Sequence, residues 1–362
     1  MNTQQRNYGI ELLRIIAMFM IVSLHTLGQG GILASVTPNS PQFHIAWILE
    51  IACFCAVNIY ALISGYVLSD KPFRLSRLIN LWFSIVFYTV TITFISAAMK
   101  WNTISVNGML DALFPISRQQ YWYLSSYCGL LLFTPFLNKA LTMIEKQEVK
   151  TILIPGILIV SIMPTLFSSD PLSTHVGYST IWLCILYLVG GWIKKSDIKS
   201  RFYSRQLIAI FGVMVLVTYL SKIILIYTTK NWFGIDNECN VLITYISPTI
   251  IISSIVLFLF FINLKFTALQ MKIIGFFSPM ALGVYIIHAN PLIWNHFVKD
   301  FAANYVQYDS IVFFTLITVS ALIIYFMSSL IDYIRIKLFH LVQMKRFSEF
   351  LNGKLSNLID RF

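Results

Sequence analysis

An apolar stretch near the start of the chain, from Ile10 to His25, carries two ionisable side chains that a simple membrane anchor would not need, Arg14 and His25. An arginine within a membrane-spanning segment costs about 2.5–3.5 kcal/mol on insertion scales, so such a residue points to function. At a helical rise of about 1.5 Å per residue, the two residues lie about 16 Å apart along the axis, near opposite faces of a hydrocarbon layer about 30 Å thick. The pair therefore predicts chemistry within the membrane.

A carboxylate in the second apolar segment, Glu50, is expected at a depth similar to that of His25. A carboxylate beside an imidazole selects its tautomer and raises its basicity, so Glu50 and His25 are candidates for a general-base pair. The alternative is that Glu50 only faces water at the outer rim of the protein.

A second histidine, His288, follows about 13 residues after the inner boundary of the ninth apolar segment, which corresponds to a depth of about 20 Å. Tyr285 lies one helical turn before it. Two histidines at matching depth predict a shared polar cavity that includes Tyr285. The alternative for His288 is a hydrogen-bonded packing residue.

Two arginines, Arg74 and Arg77, follow the second segment and stand three residues apart. On a helix they would share a face, and the planar donor fork of arginine suits phosphate. The alternative is the excess of positive charge that ordinary cytoplasmic loops carry.

Composition assigns the chain to a class. Of its 362 residues, 57% are hydrophobic and 11% charged, and the mean hydropathy is +0.75. Globular domains carry about 25% charged residues, so the chain is predicted to be an all-α, polytopic membrane protein. The net charge of +11 is then a matter of loop positions, and we expect no nucleic-acid partner. The five cysteines show no C-x-x-C or other metal-ligand spacing, so no metal site is predicted.

Windows of about 20 apolar residues predict about ten transmembrane helices. They cover residues 10–28, 44–68, 78–98, 122–141, 151–168, 179–193, 206–228, 241–263, 276–297 and 310–333.

The basic residues of the loops orient these helices, because cytoplasmic loops are enriched in Lys and Arg. With both termini cytoplasmic, the outer loops hold only Lys100, Arg118, Lys230 and Lys299. The inner side then holds Arg6, Lys71, Arg74, Arg77, Lys139, Lys146, Lys150, Lys194, Lys195, Lys199, Arg201, Arg205, Lys265, Lys272, Arg335, Lys337, Lys345, Arg346, Lys354 and Arg361. Arg14 is thus expected near the cytoplasmic side and His25 near the outer face. Lys222, within a predicted span, is expected to extend to the outer surface.

The chain is predicted to form a single transmembrane domain over residues 1–335. Residues 336–362 place apolar side chains at helical spacing between charged ones, which predicts an amphipathic tail on the cytoplasmic leaflet.

Five motifs, in this order along the chain, resemble the membrane-bound acyltransferase family 3. They are Arg14-x10-His25, Ile63-Ser64-Gly65-Tyr66, Arg74-x-x-Arg77, Tyr121-Trp122-Tyr123 and Gly283-x-Tyr285-x-x-His288. The last motif departs from the family pattern, because Gly283-Val284 stands where many members carry Ser before the Tyr, and Pro291 falls one position late.

The resemblance implies the stand-alone membrane form of a multi-pass enzyme of the bacterial plasma membrane. Members of the family O-acylate cell-surface sugars, so it implies an acyl-CoA donor, acetyl-CoA first, and a lipid-linked or surface glycan acceptor. It implies no permanently bound cofactor.

The same resemblance implies roles for individual residues. The residues expected to bind the donor are Ser64 and the three arginines Arg14, Arg74 and Arg77. His25 would be the base, oriented by Glu50 or, as second choice, by His288. A covalent acyl-His25 intermediate is the alternative chemistry. The oxyanion would be stabilised by His288, Tyr285 or Asn58.

Two other classes of function stay open at this point. About ten helices with buried Arg, Glu and His residues also suit a proton-coupled transporter or a polysaccharide export permease. An assembly protein of an envelope complex would require neither donor binding nor transport.

Overall fold

The computed structural model describes residues 6–167, 169–170, 172–196, 198, 203–234 and 239–359. Within these ranges the chain contains helices and no strands. The helices are α1 (Tyr8–Leu27), α2 (Ile32–Ser35), α3 (Pro41–Cys53), α4 (Ala56–Leu68), α5 (Leu75–Ala98), α6 (Val106–Leu113), α7 (Trp122–Met143), α8 (Lys146–Phe167), α9 (Thr180–Ser196), α10 (Ser204–Phe233), α11 (Pro248–Ile262), α12 (Ala268–Phe277), α13 (Ala281–His288), α14 (Pro291–Ile293), α15 (Ser310–Leu341) and α16 (Met344–Ile359).

Polar residues placed just before apolar runs start several of these helices. The side chain of Asn7 accepts hydrogen bonds from the backbone N–H groups that open α1, and Ser40 and Asp309 do the same for α3 and α15. Such caps satisfy donors that would otherwise be unpaired at a helix end. The apolar residues that follow then bury themselves in the protein or face lipid.

The prediction of an all-α polytopic membrane protein is confirmed. Among the residues that the structure describes, seven helical segments are long and apolar enough to cross a membrane: Tyr8–Ser35, Pro41–Leu68, Leu75–Ala98, Gln147–Phe167, Ser204–Phe233, Ala268–His288 and Ser310–Leu341. The other three predicted spans coincide with α7, α9 and α11, and the last two of these have only 17 and 15 residues. The count of about ten spans and the cytoplasmic placement of both termini stay predictions.

Two of the predicted spans are broken helices. The second consists of α3 and α4, which meet at Phe54 and Cys55. The ninth was predicted over 276–297, but its helix begins at Ala268, after a capping box formed by Thr267 and Gln270. It then passes through a 3₁₀ turn into α13 and ends at His288. Non-helical backbone is tolerated at membrane depth where it lies inside protein or lines a cavity.

Helix α1 lies in the middle of the bundle and packs against α3, α4, α11, α12, α13 and α15. Next to it, α4 and α9 approach closely through two glycines. A Cβ on Gly65 would lie 2.0 Å from the Tyr187 carbonyl oxygen, and one on Gly190 would lie 2.2 Å from the Leu62 carbonyl oxygen. Small residues permit such backbone contact between membrane helices, which explains the glycine of the Ser64-Gly65-Tyr66 motif.

A buried ion pair ties α5, α13 and α15 together. Arg335 donates to Asp332 from Nε at 2.7 Å and from Nη2 at 3.1 Å, and Tyr88 Oη donates to Asp332 Oδ1 at 2.6 Å. Asp332 is fully buried against α13, where a Cβ on Gly283 would lie 2.0 Å from its Cγ. Gly283, the departure from the family pattern, is therefore required by this close approach.

The predicted division at residue 335 falls inside α15, which continues to Leu341. The amphipathic segment is the separate helix α16, which packs on α5 through a hydrogen bond from Ser348 Oγ to Asn80 Oδ1 (2.9 Å) and a ring contact between Phe347 and Phe83. Residues 1–5 and 360–362, together with the predicted inner-side cations Lys199 and Arg201, lie outside the described residues.

The expectation for Lys222 is wrong. Its side chain is 1% exposed, its Nζ lies 3.4 Å from the centroid of the Trp47 ring, and it donates to Asn240 Oδ1 at 2.7 Å. Helix α10 packs against α3 at this point, so the residue extends into a protein contact instead of toward the outer surface.

We predict that Gly283→Ala lowers the free energy of unfolding by about 3 kcal/mol, because the added methyl group overlaps the Asp332 carboxylate and two packed helices must separate. Thermal and denaturant unfolding of the purified protein in detergent measure this change. Gly212→Ala is the matched control, since a Cβ on Gly212 meets nothing within 4 Å. Equal stabilities of the two variants would contradict the packing argument.

Candidate active site

A cavity of about 780 Å³ runs along one face of α1. The residues of α1 that line it include Arg14, Met18, Ile21 and His25. Their spacing of three and four residues is that of a single helical face, and the separation of 11 residues from Arg14 to His25 makes about three complete turns. The two side chains therefore point into the same cavity at different depths.

His25 and His288 form a direct hydrogen bond at one depth of this cavity. The distance between His25 Nδ1 and His288 Nε2 is 2.9 Å, and the ring centroids lie 5.0 Å apart. His288 is buried and does not line the cavity, whereas His25 does. The prediction that the two histidines share one site is consistent with this geometry, with His288 behind His25.

The protonation pattern of the pair follows from the second contact of His288. Its Nδ1 lies 2.5 Å from the Val284 carbonyl oxygen, which can only accept a hydrogen bond. Nδ1 of His288 is therefore the donor, and in the neutral ring Nε2 is the acceptor. His25 must then donate from Nδ1, which leaves the lone pair of its Nε2 as the basic atom of the pair.

The His288 ring is held in position at the end of α13. Tyr121 Oη donates to the Ile286 carbonyl oxygen at 3.0 Å, and Asn290 Nδ2 donates to Tyr121 Oη at 2.9 Å. Asn290 Oδ1 accepts from the Leu292 backbone N–H, so this residue also caps the next turn. These contacts hold the backbone on both sides of His288.

Trp294 is a site residue that sequence reasoning missed. Its ring packs edge-on against His25 with centroids 5.0 Å apart, and it lines the cavity. The chain turns at Asn290-Pro291 and continues into a π-helical turn at Trp294–Val298, so helical spacing from His288 does not indicate where Trp294 lies. In the sequence, the only signal that Trp294 belongs to the site was its position six residues after the candidate histidine His288.

Glu50 lines the same cavity, but the described residues show no hydrogen bond between it and His25. His288 occupies the position at His25 Nδ1 for which Glu50 was the first choice. The Glu50 side chain is 8% exposed, and its Oε2 has no hydrogen-bond partner among the described residues. In the structure His288 and not Glu50 is therefore the hydrogen-bond partner of His25, and Glu50 is a carboxyl group in the cavity wall.

Two tyrosines of the cavity wall surround its middle section. Tyr285 lines the cavity with its ring centroid 6.1 Å from that of His288. Tyr123 packs beside Tyr285, and its buried hydroxyl has no hydrogen-bond partner among the described residues. A buried hydroxyl without a partner is a donor available to a ligand. Asn58, the other oxyanion candidate, uses its amide to bind the Tyr245 carbonyl and the Trp182 indole instead.

The end of the cavity nearest the start of α1 is built around Arg14. Its Nη1 lies 3.2 Å from Glu11 Oε1, and Glu11 also pairs with Arg6 and accepts a hydrogen bond from Ser278 Oγ. Ser64 lines the cavity as well and donates to the Tyr60 carbonyl oxygen at 2.9 Å. Arg14 and Ser64 therefore share the cavity with His25.

Arg74 and Arg77 lie outside the cavity lining. Arg74 is exposed at the residue before α5, and Arg77 is half-buried in its first turn. Leu81, one turn after Arg77 on α5, lines the cavity. Arg77 therefore lies on the same helical face as Leu81, whereas Arg74 precedes the helix with an extended backbone. Among the described residues, no group of three or more His, Cys, Asp or Glu side chains is arranged to hold a metal ion.

Comparison with known families agrees with this geometry. The model of an acyltransferase domain, acyltransferase family 3, matches residues 7–330. The chain belongs to acyltransferase family 3. Among curated proteins no relative matches this chain, and among solved structures none matches it either.

Membership of acyltransferase family 3 makes the chain a multi-pass membrane acyltransferase. The match includes the whole cavity face of α1 and extends to α15, so the His25–His288 pair lies within the acyltransferase domain.

We predict that the neutral imidazole ring of His25 is protonated at Nδ1 and unprotonated at Nε2, because a hydrogen bond at one ring nitrogen sets the tautomer. Nitrogen-15 NMR of histidine-labelled protein distinguishes the two nitrogens, and the signals missing in His25→Gln provide the assignment. In His288→Ala the His25 signals should change to those of a mixture of tautomers. A wild-type His25 protonated at Nε2 would contradict the arrangement.

Proposed function

We propose that this protein is an integral membrane O-acyltransferase that moves an acetyl or other short acyl group from cytoplasmic acyl-CoA to a sugar hydroxyl. The acceptor is a cell-surface or lipid-linked glycan at the opposite face of a bacterial plasma membrane. The observation that carries the proposal is the single cavity that joins Arg14 to His25, with the basic nitrogen of His25 available in it.

The donor requires an anion site at one end and a route through the bundle. CoA is made in the cytoplasm, and its phosphates do not enter hydrocarbon, so they stay at the inner face with Arg14. The pantetheine arm is thin enough to extend along the α1 face past Met18 and Ile21, which are apolar. The thioester then reaches the depth of His25, about 16 Å from Arg14.

Arg74 and Arg77 support the same direction of entry. Arg77 lies one turn before Leu81 on the same face of α5, Arg74 immediately precedes that helix, and neither lines the cavity. Phosphates that remain outside the cavity while the thioester is inside it would lie near such a position. Guanidinium groups at a spacing of three residues bind phosphate oxygens through paired donors.

The transfer step assigns His25 as the general base. His25 Nε2 removes the proton from the acceptor hydroxyl as the oxygen attacks the thioester carbonyl carbon. The hydroxyls of Tyr123 and Tyr285 are the candidate donors to the oxyanion, because both side chains line the cavity. The C–S bond then breaks, and the proton passes from the His25 imidazolium to the departing CoA thiolate. His288 keeps the ring oriented and takes no proton from the acceptor.

We expect His25→Ala to reduce acyl transfer by at least about 10³-fold, since it removes the base, while acetyl-CoA affinity stays within about twofold of wild type. Radiolabelled acetyl transfer into glycan in membrane vesicles gives the rate, and calorimetric titration gives donor affinity. His296→Ala is the control, because His296 is exposed and does not line the cavity. Undiminished transfer by His25→Ala would overturn the assignment.

We expect Arg74→Ala combined with Arg77→Ala to weaken acetyl-CoA binding at least about tenfold, as charge-assisted hydrogen bonds to phosphate are lost. Binding of desphospho or pantetheine-only donors should change much less. A variant lacking Lys345 and Arg346, both exposed on α16, controls for the loss of two positive charges. If donor affinity does not change, Arg74 and Arg77 do not bind the donor and contribute only to the orientation of the helices in the membrane.

A further inference from the structure

Four aromatic side chains form a continuous wall of the cavity beside Glu50. They are Phe54, Trp122, Tyr178 and Tyr245, which we call the aromatic wall. Ring centroids are 4.7 Å apart between Phe54 and Tyr245, 4.4 Å between Trp122 and Tyr178, and 5.0 Å between Tyr178 and Tyr245. Trp122 and Tyr245 lie nearly parallel, at 24° and 6.0 Å.

The wall is held by contacts made by backbone and buried side chains. Asn58 Nδ2 donates to the Tyr245 carbonyl oxygen at 2.8 Å, and Trp182 Nε1 donates to Asn58 Oδ1 at 3.0 Å. Gly177, at φ +102°, brings the loop of Tyr178 so close to Tyr245 that a Cβ there would lie 2.4 Å from the Tyr245 Cβ. The rings are therefore positioned before any ligand binds.

Glu50 stands next to this wall with an unsatisfied acceptor. It lies one turn before Phe54 on the same face of the chain, and its buried Oε2 has no hydrogen-bond partner among the described residues. A buried carboxylate oxygen without a donor is costly unless a ligand supplies one. Neither the orientation of His25 nor the transfer step uses this group.

A positive charge lies behind Glu50 and outside the cavity. Lys222 is buried over the ring of Trp47, and Trp47 lies one turn before Glu50 on α3. It is not among the residues that line the cavity. The group that a ligand meets on this part of the cavity wall is therefore the carboxyl group of Glu50 and not the ammonium group of Lys222.

The geometry distinguishes a sugar site from a cation site. A cage for an organic cation surrounds an open centre with ring faces, but the rings here pack directly on one another and leave no such centre. The exposed and half-buried residues at the outer part of the cavity include three neutral amides, Gln29, Gln120 and Asn295. Such a surface suits an uncharged, polyhydroxylated ring, whose apolar face contacts aromatic carbon and whose hydroxyls donate to carboxylate.

We propose that Glu50 and the aromatic wall form the acceptor subsite, which binds an uncharged sugar ring by two adjacent hydroxyls and rejects acidic sugars. This rests on the proposed function, since it specifies the acceptor of that reaction. A uronate or phosphate on the bound ring would bring a second negative charge beside Glu50, in a partly dehydrated cavity where like charges repel strongly. Glu50 is thus a specificity residue, and its effect on binding can be measured separately because the described residues show no hydrogen bond between it and His25.

The test is a titration of the full-length protein in lipid nanodiscs with simple probes. Neutral methyl glycosides of glucose, galactose and mannose are compared with methyl glucuronoside and with choline, by calorimetry and saturation-transfer NMR. We expect at least one neutral glycoside to bind, and the glucuronoside to bind at least about tenfold more weakly. Glu50→Gln should remove most of this discrimination, while Glu50→Ala should weaken neutral binding about tenfold.

Matched variants separate the subsite from general damage. Trp122→Leu should weaken neutral binding about fivefold through loss of the ring face, and it tests the wall independently if Glu50 variants do not fold. Glu349→Gln and Trp232→Leu, both at exposed positions outside the cavity, should bind as wild type.

Several outcomes would overturn the proposal. The proposal fails if no neutral glycoside binds, or if choline binds and the glycosides do not. It also fails if Glu50→Gln leaves the ratio of the neutral-glycoside affinity to the glucuronoside affinity unchanged. Acetyl-CoA titration of the same samples tests the proposed function separately. If acetyl-CoA binds and no glycoside does, only the subsite is wrong; if glycosides bind and acetyl-CoA does not, the donor assignment fails.

Discussion

The hydrogen bond between His25 Nδ1 and His288 Nε2 is the interaction on which the arrangement of the site depends. It extends through His288 Nδ1 to the Val284 carbonyl oxygen, so a backbone acceptor ultimately determines which nitrogen of His25 is basic. A carbonyl cannot donate, and this makes the direction of the whole chain of bonds unambiguous. A carboxylate partner would have oriented the ring as well, but it would also have added a negative charge near the reacting groups.

That hydrogen bond requires α13 to lie at one position relative to α1. The broken ninth span makes this possible, because the 3₁₀ turn before α13 and the Asn290-Pro291 turn after it leave a short helix that packs separately. Gly283 brings α13 against the Asp332 carboxylate on α15, and Tyr121 holds its last turn. Short helices with non-helical backbone on both sides recur in membrane proteins where backbone lines a functional cavity.

Most of the individual residues at the site could be named from the sequence, because an ionisable side chain in a membrane span is rare enough to stand out. Their partners could not. Glu50 was the first choice as the partner of His25 and His288 the second, and depth along a helix axis could not decide between them because it leaves the rotation of each helix undetermined. Lys222 illustrates the same point: its position in a span suggested extension to the surface, but the contact of α10 with α3 buries it over Trp47.

Aromatic residues were harder to assign, because they are common at membrane interfaces for reasons unrelated to ligands. Trp122 and Tyr123 were recognised only as part of a motif, and Trp294 was not singled out at all. Their role in the cavity depends on the turns and loops that carry them, and the positive φ angle of Gly177 is one example. Loop backbone of this kind follows no periodic pattern, so periodicity could not locate these side chains.

What the sequence determined by itself was the class, the helical character of the spans, and the presence of two ionisable side chains, Arg14 and His25, on α1. Hydropathy determines the first two because every backbone polar group in a membrane must be paired internally, and the spacing of Arg14 and His25 determines that they share a face. Only the tertiary structure decided that His288 pairs with His25, that Asn58 supports a loop, and that Glu50 stands beside an aromatic wall. Those outcomes depend on how rotated and broken helices pack together, which a one-dimensional pattern does not contain.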